Sequence, residues 1–176
     1  MDELSVLFAN TRELKMTITD YNWAVDAWAD ALYRYVLKNL GSAVPAQDVV
    51  QDCFEKLWIH RENVDQGKVK SWLFTTAHHT MIDGIRKAQR EILPGSGKMP
   101  ERAFKHEYSD LQEILNQAVE RLPEIQKSVL LLRDYEGYSY REIGEITGLS
   151  EAQVKVYIYR SRISLKNYIG TIDAVL

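Results

Sequence analysis

The stretch Tyr138–Tyr168, YSYREIGEITGLSEAQVKVYIYRSRISLKNY, constrains this chain more than any other. It reads as two helices joined by a sharp turn. Ser139 opens the first, and Glu142 stands three residues on to complete a capping box. Ile143 and Ile146 share one face, and Gly148 ends the helix because glycine enters the left-handed conformation of a C-terminal cap at little cost. Leu149 turns inward. Ser150 and Gln153 repeat the capping-box spacing. Val154, Ile158 and Leu165, with Tyr157 or Ser161 between them, keep one face of the second helix apolar. The opposite face carries Lys155, Tyr159, Arg160, Arg162 and Lys166. This is the layout of a helix-turn-helix whose second helix enters a DNA major groove. An ordinary helical hairpin with a solvated basic face would share the pattern. Tyr159 itself suits either a DNA contact or a packed amphipathic ring.

Upstream, every periodic segment has the helical period. Asp20 to Leu40 carries Trp23, Ala27, Ala31, Tyr35 and Leu40, with Trp28, Leu32 and Val36, as a broad apolar stripe expected to pack in a core. Gly41-Ser42 stops it, and Pro45 falls in the first turn of the next helix, through His60. There Val49, Cys53, Phe54, Leu57 and Trp58 face inward, while Asp48, Gln51, Asp52 and Glu55 face out. Arg61–Val69 is a polar loop, and Lys70–Arg90 a third helix packed through Trp72, Leu73, Ala77, Met81 and Ile85. Pro94, Gly95, Gly97 and Pro100 then break any helix. Two helices, Asp110–Leu122 and Pro123–Tyr135, supply an apolar support for the helix-turn-helix. The expected fold is all-α: two small helical domains joined by a flexible linker, the C-terminal one a helix-turn-helix. The boundaries fall at an N-terminal extension of unassigned role (1–16), a first domain (17–90), a linker (91–109), a second domain (110–170) and a tail (171–176).

A net charge of −3 looks wrong for a nucleic-acid binder, but its distribution resolves this. Residues 66–106 carry +5 and 151–176 carry +2, while 1–65 and 107–150 carry −5 each. Fields act locally when the screening length is about 8 Å, so basic zones can face phosphate while acidic ones face a protein. The acidic outer face of the second helix fits a basic partner helix, or simply water. On the third helix Lys70, Thr75, Thr76, His78, His79, Arg86, Lys87 and Arg90 combine hydroxyls and cations with nearby aromatics, which suits single-stranded nucleic acid.

Other classes have little support. Cys53 stands alone, so no internal disulfide forms, in keeping with a reducing cytoplasm. No run of about 18 apolar residues is present to insert in a membrane, and no signal peptide is visible. His60, His78, His79 and His106 make no triad with the carboxylates. Adjacent histidines lack the three- or four-residue spacing of helix-borne metal ligands, so neither metal, cofactor nor catalysis is expected.

Two motif blocks carry a family resemblance. Asp48-Val-Val-Gln-Asp-Cys-Phe-Glu-Lys-Leu-Trp58, then Trp72-Leu-Phe74, Ala77 and Asp83-Gly-Ile-Arg-Lys87, resemble region 2 of the extracytoplasmic-function sigma factors of bacterial RNA polymerase. Leu122-Pro123, Glu136-Gly-Tyr-Ser-Tyr-Arg-Glu-Ile143, Gly148-Leu-Ser150 and Val154-Lys155 resemble region 4. The resemblance covers about residues 17–168 and implies a binding role rather than an enzymatic one. It places Asp48, Gln51, Asp52, Phe54, Glu55 and Trp58 on the face that docks on core polymerase. It places Arg61, Asn63, Lys68, Lys70, Trp72, Thr75, His78, His79, Arg86, Lys87 and Arg90 at the minus-ten element and its melted strand. It places Ser139, Arg141, Ser150, Gln153, Lys155, Val156, Tyr157, Tyr159, Arg160 and Arg162 at the minus-thirty-five element. It further implies promoter DNA and an anti-sigma factor as partners, with the linker threading the polymerase's RNA exit path. Thr75, His78 and His79 depart from the Arg, Arg and Asn common in the family, and Val156 and Tyr157 from its Ser and Arg. A stand-alone helix-turn-helix regulator is the alternative; it would dimerise on paired half-sites and leave the first domain idle.

Overall fold

The computed structural model describes residues 16–91 and 110–173, all helices and turns. Helix α1 spans Ile18–Leu40, α2 Ala43–His60, α3 Val69–Glu91, α4 Asp110–Glu120, α5 Glu124–Asp134, α6 Tyr140–Thr147 and α7 Glu151–Asp173, with a 3-10 turn at Gln66–Lys68 before α3.

Local chemistry sets the ends. Thr17 and Asp20 form a reciprocal capping box at the start of α1, and Gly41 closes its end at φ 68°. Helix α2 begins two residues earlier than Pro45 suggested, at Ala43, with the proline still in the first turn where its missing N–H costs nothing. Ser139 and Glu142 cap α6 as expected, and Gly148 ends it at φ 73°. The third capping box also forms: Ser150 N–H donates to Gln153 Oε1 at 2.9 Å, and Gln153 N–H to Ser150 Oγ at 3.3 Å.

Helices α1, α2 and α3 pack on one another, as do α4, α5, α6 and α7 through α5–α7, α4–α7 and α6–α7. The two halves also pack together, α3 against α6 and α1 against α5, so one apolar core runs from Leu32 and Leu73 through Phe74 and Tyr138 to Ile143 and Val154.

The apolar stripe of α1 is narrower than its pattern implied. Leu32, Tyr35 and Val36 are buried, but Trp23 is 58% exposed and Ala27 is exposed. Trp23 lies off the core arc and meets Trp28 edge-on, ring centroids 6.2 Å apart. Lys127 and Ser128 on α5 are buried, which their residue types did not suggest. Among the described helices none is long and apolar enough to cross a membrane.

Candidate protein and nucleic-acid interfaces

The outer face of α2 presents Asp48, Gln51, Asp52 and Glu55, all exposed. Their spacing of three, one and three puts them on one side of a helix. Trp58, expected to face inward, is 38% exposed at the end of this face. Tyr21 meets its ring edge-on at 5.1 Å. Arg61 lies over it at 4.4 Å and donates to the Trp58 carbonyl at 2.8 Å. Phe54 faces inward as expected: at 8% exposure it belongs to the core, edge-on to Tyr21, beneath this face.

The loop between α2 and α3 is built by its own polar groups. Asn63 N–H donates to the His60 carbonyl at 2.8 Å, and Asp65 accepts from Gly67 N–H at 2.8 Å. Asn63 and Lys68 are exposed, while Arg61 is half-buried under the Trp58 stack. Along α3, His79, Arg86, Lys87 and Arg90 are exposed and continue a basic edge toward its C-terminus. Arg86 reaches Asp83 only at 4.0 Å on an exposed surface, a contact worth little. Thr75 is half-buried and donates its hydroxyl to the Ser71 carbonyl at 2.8 Å, as Thr76 does to Trp72. Both hydroxyl protons are therefore committed to the helix, leaving oxygens that accept. Trp72 is half-buried, its ring 6.4 Å from His60.

Two residues expected on this surface sit elsewhere. His78 is 3% exposed, with Nδ1 3.4 Å from the Tyr35 hydroxyl. Burial, reinforced by His79 and Arg86, lowers its pKa to about 4 and keeps the ring neutral. Lys70 is half-buried; its Nζ lies 4.6 Å from the Tyr138 ring and 5.1 Å from that of Trp28, and donates to the Glu136 carbonyl at 3.4 Å. His78 is met by Tyr35 of α1, and Lys70 by Glu136 and Tyr138 of the C-terminal half.

On α7 the exposed face carries Lys155, Val156, Tyr159 and Arg160. Tyr159, at 67% exposure, is not a packed ring. Tyr157 is half-buried and packs on the core, in line with its place on the apolar face of the helix. Arg162 is held by Asp134 at 2.7 Å, and exposed Arg141 pairs with Glu145 at 3.3 Å. Ser139, Ser150 and Gln153 serve as caps at the two helix starts, where backbone N–H groups also favour phosphate. Ile163 was missed by sequence reasoning. At 40% exposure it lies with Val156 and Tyr159 at spacings of three and four, a signal legible in the helical period. Such a face can touch thymine methyl groups while Lys155 and Arg160 reach phosphates or base edges.

Residues 24–91 match the family Sigma-70 region 2, and residues 112–165 match Sigma-70, region 4. The chain is 30% identical over 141 residues to the ECF RNA polymerase sigma factor SigM of Bacillus subtilis, covering 77% of this chain and 86% of that one. It is 31% identical over 137 residues to the ECF RNA polymerase sigma factor SigL of Mycobacterium tuberculosis, covering 74% and 77%. Its fold is similar to the sigma factor RpoE solved in complex with the anti-sigma factor NepR from Bartonella quintana, with TM-score 0.78, 25% identity and coverage of 87% and 98%.

Proposed function

The chain belongs to the extracytoplasmic-function sigma factors of the sigma-70 family, and from that premise we propose how its own surfaces divide the work. It binds core RNA polymerase, directs it to promoters and promotes strand opening; the polymerase performs the phosphoryl chemistry. Its place of action is therefore the polymerase's own compartment, the cytoplasm. The observation that carries this reading is the pair of matches, region 2 over 24–91 and region 4 over 112–165, in order on one chain. That pairing gives the N-terminal half a role that the stand-alone regulator lacks.

The exposed α2 face, Asp48, Gln51, Asp52, Glu55 and the Trp58–Arg61 stack, is the polymerase-docking surface. Its acidity supplies specificity and a fast encounter with a basic partner. The loop bearing Asn63 and Lys68 receives a base extruded from the minus-ten element, an extrusion costing a few kcal/mol that stacking must repay. His79, Arg86, Lys87 and Arg90 follow the backbone of the melted strand. Lys155, Val156, Tyr159 and Arg160 read the minus-thirty-five duplex. These contacts are few per half, so free DNA is bound weakly and with steep salt dependence. The likeness to a sigma factor solved with its anti-sigma factor supports an anti-sigma partner for this chain.

Co-purification with core polymerase tests the docking assignment. Gln51→Ala with Asp52→Lys, both on exposed positions, abolishes capture while leaving helicity unchanged. Capture equal to wild type would remove α2 as the docking face.

A further inference from the structure

The loop between α2 and α3 lacks a group that a captured base needs. Residues 61–68, RENVDQGK, contain no aromatic side chain. A base that leaves its duplex loses its stacking neighbours, and a protein ring must replace them. The rings flanking the loop are engaged. The Trp58 face is covered by the Arg61 guanidinium at 4.4 Å, and Trp72 is half-buried with the His60 ring 6.4 Å away. An open ring lies instead on α1, whose start is tied to the loop twice. Met16 N–H donates to the Arg61 carbonyl at 3.4 Å, and the Gln66 side chain hydrogen-bonds the Asp20 carboxylate. Trp23 stands three residues beyond Asp20, on the same side of the helix and about 4.5 Å along its axis. At 58% exposure it is the most open of the four tryptophans.

We propose that Trp23 is the stacking platform for a base of the melted minus-ten strand, with Lys68 taking the adjoining phosphate. The inference deepens the functional reading above and rests on it. Trp28 meets Trp23 edge-on, at an interplanar angle of 88°, and so props the indole on one side while the rest of it stays open. Lys70 Nζ lies 5.1 Å over the Trp28 ring, so the aromatic pair reaches from the loop's anchor at Asp20 to the first turn of α3. The surrounding charges sort base from phosphate. Asp26 and Asp30 are exposed on α1 and Asp20 is half-buried there, whereas Lys68 is exposed on the loop. Carboxylates repel a phosphate but not an uncharged base. The base therefore lies on the indole with its phosphate turned toward Lys68. Stacking of this kind is tolerant of sequence, because every base has a π-face, so Trp23 holds the strand without choosing the base.

Promoter fragments recovered by run-off transcription with core polymerase, carrying 2-aminopurine in the non-template strand at the minus-ten element, report opening by each variant. Trp23→Ala lowers opening about tenfold, the order of one lost base–aromatic stack. Trp23→Phe keeps a ring and stays within about threefold of wild type. Melting temperature and capture by core polymerase are unchanged for both, because the side chain is exposed. Abasic sites placed singly in the non-template strand then locate the partner. At one position the abasic template brings wild type down to the level of Trp23→Ala, and the two losses do not add; at the others they add. Trp23→Ala opening promoters at the wild-type rate would overturn the platform, as would losses that add at every position. Capture by core polymerase falling in step with opening would make Trp23 a protein contact and overturn it too. Wild-type protein that opens no promoter with core polymerase present would overturn the functional reading, and the platform with it, before any variant is compared.

Discussion

Gly144 lies so close to the turn of the helix-turn-helix that a Cβ added there would stand 2.6 Å from the Leu149 carbonyl oxygen. Leu149 N–H and Gly148 N–H both donate to the Gly144 carbonyl, at 3.1 and 2.8 Å. The turn thus folds back onto α6 at the one position without a side chain, and this sets the angle at which α7 leaves.

Gly144→Ala accordingly costs roughly 1–3 kcal/mol of stability by overpacking against backbone, and it weakens use of the minus-thirty-five element by re-aiming α7. Gly84→Ala is the control. Its Cβ meets nothing within 4 Å, so it gains up to about 1 kcal/mol in helix α3. Urea unfolding of the two variants gives opposite signs on this account.

Tyr138 is buried and its hydroxyl has no hydrogen-bond partner. Its ring, against Phe74 and Lys70, carries the packing. Tyr138→Phe keeps the ring and removes the unpaired group, so it is neutral or stabilising by about 1 kcal/mol. A drop in melting temperature of several degrees would show that the hydroxyl is paired in solution.

His78 makes folding sensitive to acid. Its folded pKa, about 4, lies below the ordinary 6.5, so the unfolded chain binds the proton first as pH falls. Its contribution is complete above pH 6.5 and is lost progressively between 6.5 and about 4, about 3 kcal/mol in all at 1.36 kcal/mol per pKa unit. His78→Gln removes that slope. Unfolding free energies of wild type and variant therefore diverge at pH 7 and converge near pH 4, and parallel curves would contradict a buried neutral ring.

Arg160 is exposed on α7 with Tyr159, whereas Arg162 is tied to Asp134. Arg160→Ala lowers transcription from promoters with an intact upstream element by about tenfold, the value of one good base or phosphate contact of 1–3 kcal/mol. Promoters with that element scrambled show no further loss. Equal loss on both templates would remove Arg160 from the reading face.

The helices and their caps were legible because they depend on neighbours in sequence. The Ser139–Glu142 and Ser150–Gln153 boxes act over three residues and the Gly148 stop over four. The acidic outer face of α2 was legible too, since acidic residues at helical spacing had to face outward. What sequence could not show depends on contacts across long separations. Lys127 and Ser128 are polar by type and are buried by contact with Asn39 of α1, 88 and 89 positions away. His78 read as a nucleic-acid contact because nothing local reveals that Tyr35 sits over it. Trp23 went the other way, apolar by type but placed off the buried arc of α1. The linker, expected to thread the polymerase's RNA exit path, lies from residue 92 onward outside the described residues.

Run-off transcription with purified core polymerase and fragmented genomic DNA tests the central claim most directly. Addition of this protein produces transcripts absent from core alone, whose start sites share elements near minus ten and minus thirty-five. Templates retained by the protein alone, with no new transcripts when polymerase is present, would contradict it and leave a stand-alone regulator.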